Sequence, residues 1–217
     1  MEIVIFGAPG AGKGTQAKRI SEVLNIPHIS TGDILRSAVA AKTELGKKVE
    51  AIMAAGELVS DDLMAQLVRE MLESDKVKNG FILDGYPRTV KQVEYFEKIR
   101  KELNLNNSCL LNIQVDFDVI FKRLTSRLLC INCNAIVNES DIKEENTCPV
   151  CGSKNTLIKR KDDAPDVVRR RLNVYKESTE PILEYYEKNP TLKVINVNGD
   201  QAVEKVTEEI LEKLKDC

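Results

Sequence analysis

The chain has 217 residues, a 42% apolar content and a formal net charge of −2. This is ample for the core of one large domain with insertions, and it supplies no broad cationic field for gripping lengths of nucleic acid backbone. No stretch approaches the roughly 20 apolar residues of a membrane span, and Met1 leads straight into a strand pattern rather than a basic and apolar leader, so the expected compartment is the cytoplasm.

The first strand pattern, Ile3 to Phe6, feeds directly into Gly7-Ala8-Pro9-Gly10-Ala11-Gly12-Lys13-Gly14-Thr15 and then into a helical pattern over Lys13 to Leu24. Glycines let several backbone N–H groups converge on phosphate oxygens, Lys13 adds a positive charge, and the helix begins with its positive dipole end at the anion. A polyphosphate site is expected there. Gly14 stands where most such loops carry Ser or Thr, and the first hydroxyl comes only at Thr15.

His28 is the sole histidine and follows Pro27 in a short strand pattern, which favours a structural role over general acid/base chemistry. Further β-branched runs at Phe81 to Leu83, Cys109 to Val115 and Val194 to Val197 alternate with helical patterns. The latter cover Gly32 to Ala41, Asp61 to Leu72, Thr89 to Leu103, Phe117 to Leu128, Pro165 to Tyr186 and Gln201 to Leu214. The expected fold is α/β, a P-loop parallel sheet covered by helices. Pro165 suits a first helical turn with Asp163 as a capping candidate, and Pro181 is expected to kink the same long helix.

Two segments look like additions to that unit: a helical stretch from Ser30 to Val59, and a polar stretch from Leu129 to Leu157 that loses periodicity. The second carries Cys130-x-x-Cys133 and Cys148-x-x-Cys151, separated by fourteen residues. Two tight turns presenting four thiolates match a closed tetrahedral Zn²⁺ site, structural rather than catalytic, and iron suits the same ligands. A redox dithiol is disfavoured by the two matched pairs. Cys109 lies inside an apolar strand and is expected in the core.

Asp84 ends the Phe81 to Leu83 strand, where open α/β sheets place ligands, and can orient Mg²⁺ or its waters. Gly85-Tyr86-Pro87-Arg88 then turns the chain toward the same crevice. Arg123, Arg127, Arg160 and Arg171 bracket the cysteine segment, and guanidinium groups converging on one site suit transfer between phosphates. In the run Arg169-Arg170-Arg171, the stripe Val168, Leu172, Tyr175, Thr179 and Ile182 leaves Arg170 on the solvated side. Arg169 and Arg171 both flank the stripe, and helical geometry leaves the choice between them open.

Taken together, the loop from Gly7 to Thr15, Ser30-Thr31-Gly32-Asp33-Ile34-Leu35-Arg36, Gly56-Glu57-Leu58-Val59, Asp84 to Arg88 with Gln92, and Arg160 to Asp163 with Arg171 resemble adenylate kinases of the long, zinc-bearing lid type. The resemblance spans essentially the whole chain, and five motifs occur in the family's order. It implies a core of residues 1–29, 60–127 and 158–217, an AMP-binding insertion over 30–59 and a small zinc-ribbon-like lid over 128–157. It implies reversible transfer of the terminal phosphoryl group of MgATP to AMP, giving two ADP, by a monomer. Gly10, Ala11, Gly12, Lys13, Gly14 and Thr15 would bind ATP phosphates. Arg123 and Arg127 would hold ATP, and the backbone near Gln201 its adenine. Thr31, Arg36, Glu57, Leu58, Val59, Gly85, Tyr86, Pro87, Arg88 and Gln92 would form the AMP site, Gln92 reading adenine through its amide. Arg160 and Arg171 would sit at the transfer point, and the family pattern selects Arg171 over Arg169. Related lids carry an aromatic residue shortly after the first cysteine pair; here that stretch reads Asn134-Ala135-Ile136-Val137, so apolar contact from Ile136 and Val137 would replace stacking.

The chemistry is compatible with a single histidine. The second pKa of a phosphomonoester lies near ~6, so the attacking oxygen is already ionised at neutral pH and needs no general base. Two other readings compete: a kinase acting on UMP, CMP or GMP, and a nucleotide-gated zinc-ribbon protein that binds nucleic acid. Thr31, Gln92 and the full lid favour AMP over the first. The acidic residues Glu139, Asp141, Glu144 and Glu145, and the lack of aromatic side chains in the lid, disfavour the second.

Overall fold

The computed structural model describes residues 1–215 and 217. Five parallel strands form the central sheet: β1 (Glu2–Phe6), β2 (His28–Ser30), β3 (Phe81–Asp84), β4 (Ser108–Gln114) and, last in the chain, a strand over Lys193–Asn198. Their spatial order is β2, β3, β1, β4 and then the Lys193–Asn198 strand. β1 is thus central and buried on both faces, which is why it reads as an unbroken apolar run.

Alternation along β1 divides the core. Ile3 and Ile5 face Ala17 and Ile20 of α1 (Lys13–Leu24) and, from the C-terminal helix over Val203–Leu214, Val206 and Ile210. Val4 and Phe6 face the larger cluster, to which the intervening helices contribute. These are α2 (Thr31–Ala40), α3 (Glu44–Ala54), α4 (Asp61–Leu72), α5 (Val90–Glu102), α6 (Phe117–Thr125), α7 (Pro165–Val174) and α8 (Pro181–Lys188). Side-chain caps start four of them: Ser30 accepts from Asp33 N, Thr43 from Gly46 N, Thr89 from Gln92 N and Asp116 from Asp118 N.

A second, antiparallel sheet has β5 (Arg127–Cys130) at its centre, flanked by β6 (Ile136–Asn138) and β7 (Leu157–Ile158). The Lys193–Asn198 strand is β8, and the helix over Val203–Leu214 is α9. The sequence expectation of a helix through Leu128 is corrected here. α6 ends at Thr125 with Ser126 as its cap, because residues 127–130 enter a ladder in which Arg127 opposes Asn138 and Leu129 opposes both Ile136 and Ile158.

The single long helix expected over Pro165 to Tyr186 is also corrected. It is interrupted by a π-helical turn over Tyr175–Thr179, closed by Glu180 N donating to Tyr175 O at 2.8 Å. Pro181 has no N–H to continue the ladder and serves as the first residue of α8. Asp163 does not cap α7: Ala164 occupies that position without a side-chain bond, and Asp163 is committed to arginines.

Candidate active site

The phosphate loop lies between β1 and α1, at the C-terminal end of the sheet. Gly12 caps α1 in the left-handed conformation, φ 95°. Gly10 combines φ 84° with an approach so close that a Cβ would lie 2.7 Å from Leu124 Cγ. Both positions therefore require glycine. The first turn of α1 carries no acidic residue, as suits an anion-facing N-terminus. Lys13 Nζ donates to the loop's own carbonyls, Gly7 O and Ala8 O, each at 2.8 Å. Burial pushes the ammonium down to about 8, against the pull of Asp84 and with Arg88 and Arg171 adding to the repulsion.

Asp84, 8% exposed, ends β3 beside the loop. A Cβ on Gly14 would sit 3.6 Å from its Oδ2, ordinary contact, so the loop and this carboxylate are immediate neighbours. His28 Nε2 lies 3.4 Å from the same oxygen, and Thr31 Oγ1 donates to Asp84 O at 3.1 Å. The lone histidine therefore packs against the carboxylate, at the lining of the same crevice.

Arg88 is held at three points. Its backbone N–H donates to Gln92 Oε1 at 2.7 Å, its Nε to Gly85 O at 2.8 Å, and its carbonyl accepts from Thr179 Oγ1 at 2.9 Å. Arg36 donates to Asp33 Oδ1 at 2.6 Å. Arg160 forms a two-point pair with Asp162, and Arg127 a two-point pair with Asp163. Arg171 Nη1 donates to Asp162 O at 2.8 Å and Asp163 Oδ1 at 3.0 Å. Burial pushes the Arg171 guanidinium down to about 10. At Asp162 burial acts upward, but Arg171 and Arg160 outweigh it and hold the carboxyl down at about 2. Arg123 Nη2 donates to Gly199 O at 3.0 Å.

The three consecutive arginines separate cleanly. Arg169 stacks over the Phe121 ring at 5.3 Å and Arg170 pairs with Glu57 at 2.8 Å, whereas Arg171 turns into the crevice.

One cleft is lined by nearly all the sequence-predicted residues: Gly10 to Thr15, Asp84 to Arg88, Gln92, Arg123, Arg127, Arg160 and Arg171. Thr31, Arg36, Glu57, Leu58, Val59, Ile136 and Gln201 line it as well. Val137 does not: it is 5% exposed, one residue along β6 from Ile136, and so points to the other face of that strand. Gln201 also lines the cleft, and its side-chain Nε2 donates to Asn198 O at 3.0 Å and to Glu209 Oε2 at 2.7 Å.

Asp162 and Asp163, the organisers of three arginines, were not singled out as site residues by sequence reasoning. The available signal was two adjacent carboxylates in a run flanked by Arg160 and Arg171, of which the buried one must find a cationic partner. Gln16 was missed too: 3% exposed, it donates to Val203 O at 3.0 Å and accepts from Thr207 Oγ1 at 2.8 Å, tying α1 to α9.

The four cysteine sulfurs of the two turns lie within 4.8 Å of one another, so the cluster can hold a metal ion. Cys130 and Cys151 Sγ are 3.7 Å apart, Cys133 and Cys148 Sγ 3.8 Å. A regular tetrahedron with metal–sulfur bonds of about 2.3 Å has edges of about 3.8 Å, so the donor set fits. Hydrogen bonding from Ser153 holds the Cys151 thiol down at about 5, and Thr156 acts in the same direction on Cys130. Cys109 is buried in the core at 1% exposure, as expected.

The family profile described as Adenylate kinase matches residues 5–191. The chain belongs to the adenylate kinase family. It is 48% identical over 217 residues to the adenylate kinase of Petrotoga mobilis, an alignment covering 99% of this chain and 98% of that protein. To the adenylate kinase of Thermosipho africanus it is 47% identical over 213 residues, covering 97% and 98% respectively. To that of Archaeoglobus fulgidus it is 46% identical over 220 residues, covering 99% of this chain and all of the relative. The protein is thus an enzyme of the phosphotransferase class, and the family, fold class and adenylate kinase function read from its sequence hold. No helix among the described residues is long and apolar enough to cross a membrane.

Proposed function

We propose that the protein reversibly transfers the terminal phosphoryl group of MgATP to AMP, giving two ADP, as a cytoplasmic monomer that uses neither nucleic acid nor membrane. The observation that carries this reading is one cleft in which Lys13, Arg88, Arg127, Arg160 and Arg171 converge beside a phosphate loop. Burial disfavours the charge on Lys13, Arg88 and Arg171, so anionic phosphates entering the cleft relieve a cost already present.

In this reading the loop from Gly10 to Thr15 receives the ATP phosphates, and Lys13 leaves its two carbonyls for the β and γ groups. Arg123 and Arg127 hold ATP, with Ile136 and the Gln201 backbone against its base. Thr31, Arg36, Glu57, Leu58, Val59, Gly85, Tyr86, Pro87, Arg88 and Gln92 receive AMP. Arg88, Arg160 and Arg171 align the acceptor oxygen with the phosphorus and neutralise the charge spread over the transferring group. Asp84, a hard oxygen donor beside the loop, would hold the Mg²⁺ of MgATP through its waters, and that ion supplies further neutralisation. No side chain need remove a proton, because the acceptor is a dianion at neutral pH.

Residues 30–59 serve as the AMP-binding insertion and 128–157 as a lid that excludes water when it closes. Zinc in the four-cysteine cluster would keep so small a lid folded, a closed site leaving no position for substrate.

A panel of AMP, UMP, CMP and GMP at equal MgATP, run with and without metal chelation, tests the reading. AMP should be preferred by orders of magnitude; a preference for a pyrimidine would reassign the acceptor.

A further inference from the structure

Asp61, the first residue of α4, lies outside the lining of the cleft, yet it touches a residue that lines it. Its Oδ1 accepts from Gln92 Nε2 and from Thr89 Oγ1, both at 2.9 Å. The other end of the Gln92 amide is also occupied: Oε1 accepts from the Arg88 backbone N–H at 2.7 Å. Gln92 is further anchored by its own N–H to Thr89 Oγ1 at 3.0 Å and by Tyr86 Oη on its carbonyl at 3.0 Å.

The two amide partners fix its sense by chemistry alone. A carboxylate only accepts and a backbone N–H only donates. In the reversed orientation Oε1 would face the Asp61 oxygen and Nε2 would face the Arg88 N–H. Two hydrogen bonds would become two repulsive contacts in a site where Gln92 is 2% exposed. The remaining valences of the amide, one N–H and one oxygen lone pair, are what it presents to the cleft.

We propose that Asp61 is a specificity-determining positioning residue: by locking the sense of the Gln92 amide, it makes the crevice accept a 6-aminopurine monophosphate and reject a 6-oxopurine. The proposal rests on the reading that Gln92 meets the acceptor base. Adenine offers an exocyclic N–H and a ring acceptor, matching a fixed carbonyl oxygen and a fixed N–H. Hypoxanthine and guanine offer an oxygen and a ring N–H in the same places, so they match only the reversed amide. A site built to hydrogen-bond one pattern rejects the other because its buried polar groups are then left opposed.

The test is kcat/KM for AMP and for IMP at saturating MgATP, measured on the full chain and on Asp61→Asn. An asparagine can turn its own Nδ2 to donate to the Oε1 of a reversed Gln92, leaving only the Arg88 N–H to oppose it. The preference for AMP over IMP should fall by about tenfold or more, mostly through KM. Thr89→Val is the structural control: it removes the α5 cap and one of the two hydrogen bonds to Asp61 but leaves both contacts of the Gln92 amide, so it should lower the melting temperature and keep the preference. An undiminished preference in Asp61→Asn, or an equal loss in Thr89→Val, overturns the positioning role. Gln92→Ala separates the two layers. An unchanged KM for AMP there removes the reading on which the proposal rests and the proposal with it, whereas a raised KM beside an undiminished preference in Asp61→Asn removes the positioning role alone.

Discussion

Arg127 and Asp163 face each other in a two-point ion pair, Nε donating to Oδ2 at 2.7 Å and Nη2 to Oδ1 at 2.6 Å. The carboxylate is 3% exposed and belongs to the stretch before α7, while Arg127 opens β5, so the pair pins the small sheet to the core side of the cleft. Asp163 also takes Arg171 at 3.0 Å. One buried carboxylate therefore orients two of the guanidinium groups assigned to phosphates. Asp163→Asn keeps the shape and removes the charge, which should cost about 3 kcal/mol of stability as two buried cations lose their partner. Thermal unfolding should shift down by several degrees, and kcat/KM for ATP should drop at least about tenfold. Retention of both values would show that the pair is dispensable.

Lys13 gives a prediction in pH. Its folded value, about 8, lies below the ordinary 10.5, so between those limits the native chain binds fewer protons than the unfolded one. This group therefore disfavours folding at low pH, and the penalty is relieved as pH rises above about 8. Nucleotide binding runs the other way. Phosphate oxygens favour the ammonium, so ATP binding at about pH 9 should take up a proton. Calorimetric titration in two buffers of different ionisation enthalpy measures that uptake. Lys13→Met should abolish it and reduce turnover by about 10³ or more; the same uptake in the variant would assign the proton elsewhere.

The π-helical turn has a consequence for Arg88. It brings Thr179, 7% exposed, to donate to the Arg88 carbonyl at 2.9 Å. Thr179→Val preserves the shape and leaves that carbonyl without its donor, at a cost of about 1 kcal/mol. Expected is a loss of about fivefold in kcat/KM for AMP with little change for ATP, restored in Thr179→Ser. An equal effect on both substrates would point to general loosening of α7 and α8.

The phosphate loop and the cysteine cluster were readable because their chemistry is local: a strand, a glycine turn and a lysine in one case, two three-bond turns in the other. The fold class followed from periodicity alone. What escaped depends on distant partners. Arg127 and Leu128 extend a helical pattern, and only pairing of residues 127–130 with residues 136–138 and 157–158 makes them part of a strand. Asp163 reads as a helix cap until Arg127, far away in sequence, is seen to claim it. Helical geometry put Arg170 on the solvated side, but the choice between Arg169 and Arg171 stayed open because Phe121, over which Arg169 stacks, comes from another element.

The cysteine cluster gives the last prediction. Cys130 pairs across β5 with Leu157 of β7, and Cys148 N donates to Ser153 O within the second turn, so both turns are braced by backbone bonds. Yet the sheet has only three strands of two to four residues each, too little to hold alone against chain entropy. Tetrahedral ligation by four thiolates would supply the missing free energy, because a metal that binds only the folded form stabilises it. Verified removal of the metal should lower the melting temperature and raise hydrogen exchange across residues 127–158, with β1 and β4 unaffected. Added Zn²⁺ should reverse both changes, and Co²⁺ should give the visible spectrum of a tetrahedral thiolate site. Cys130→Ser should reproduce the metal-free state without rescue by Zn²⁺. An unchanged thermal midpoint after verified metal loss would remove the structural role, and an exchange increase spread evenly over the chain would show that the metal supports more than this small sheet.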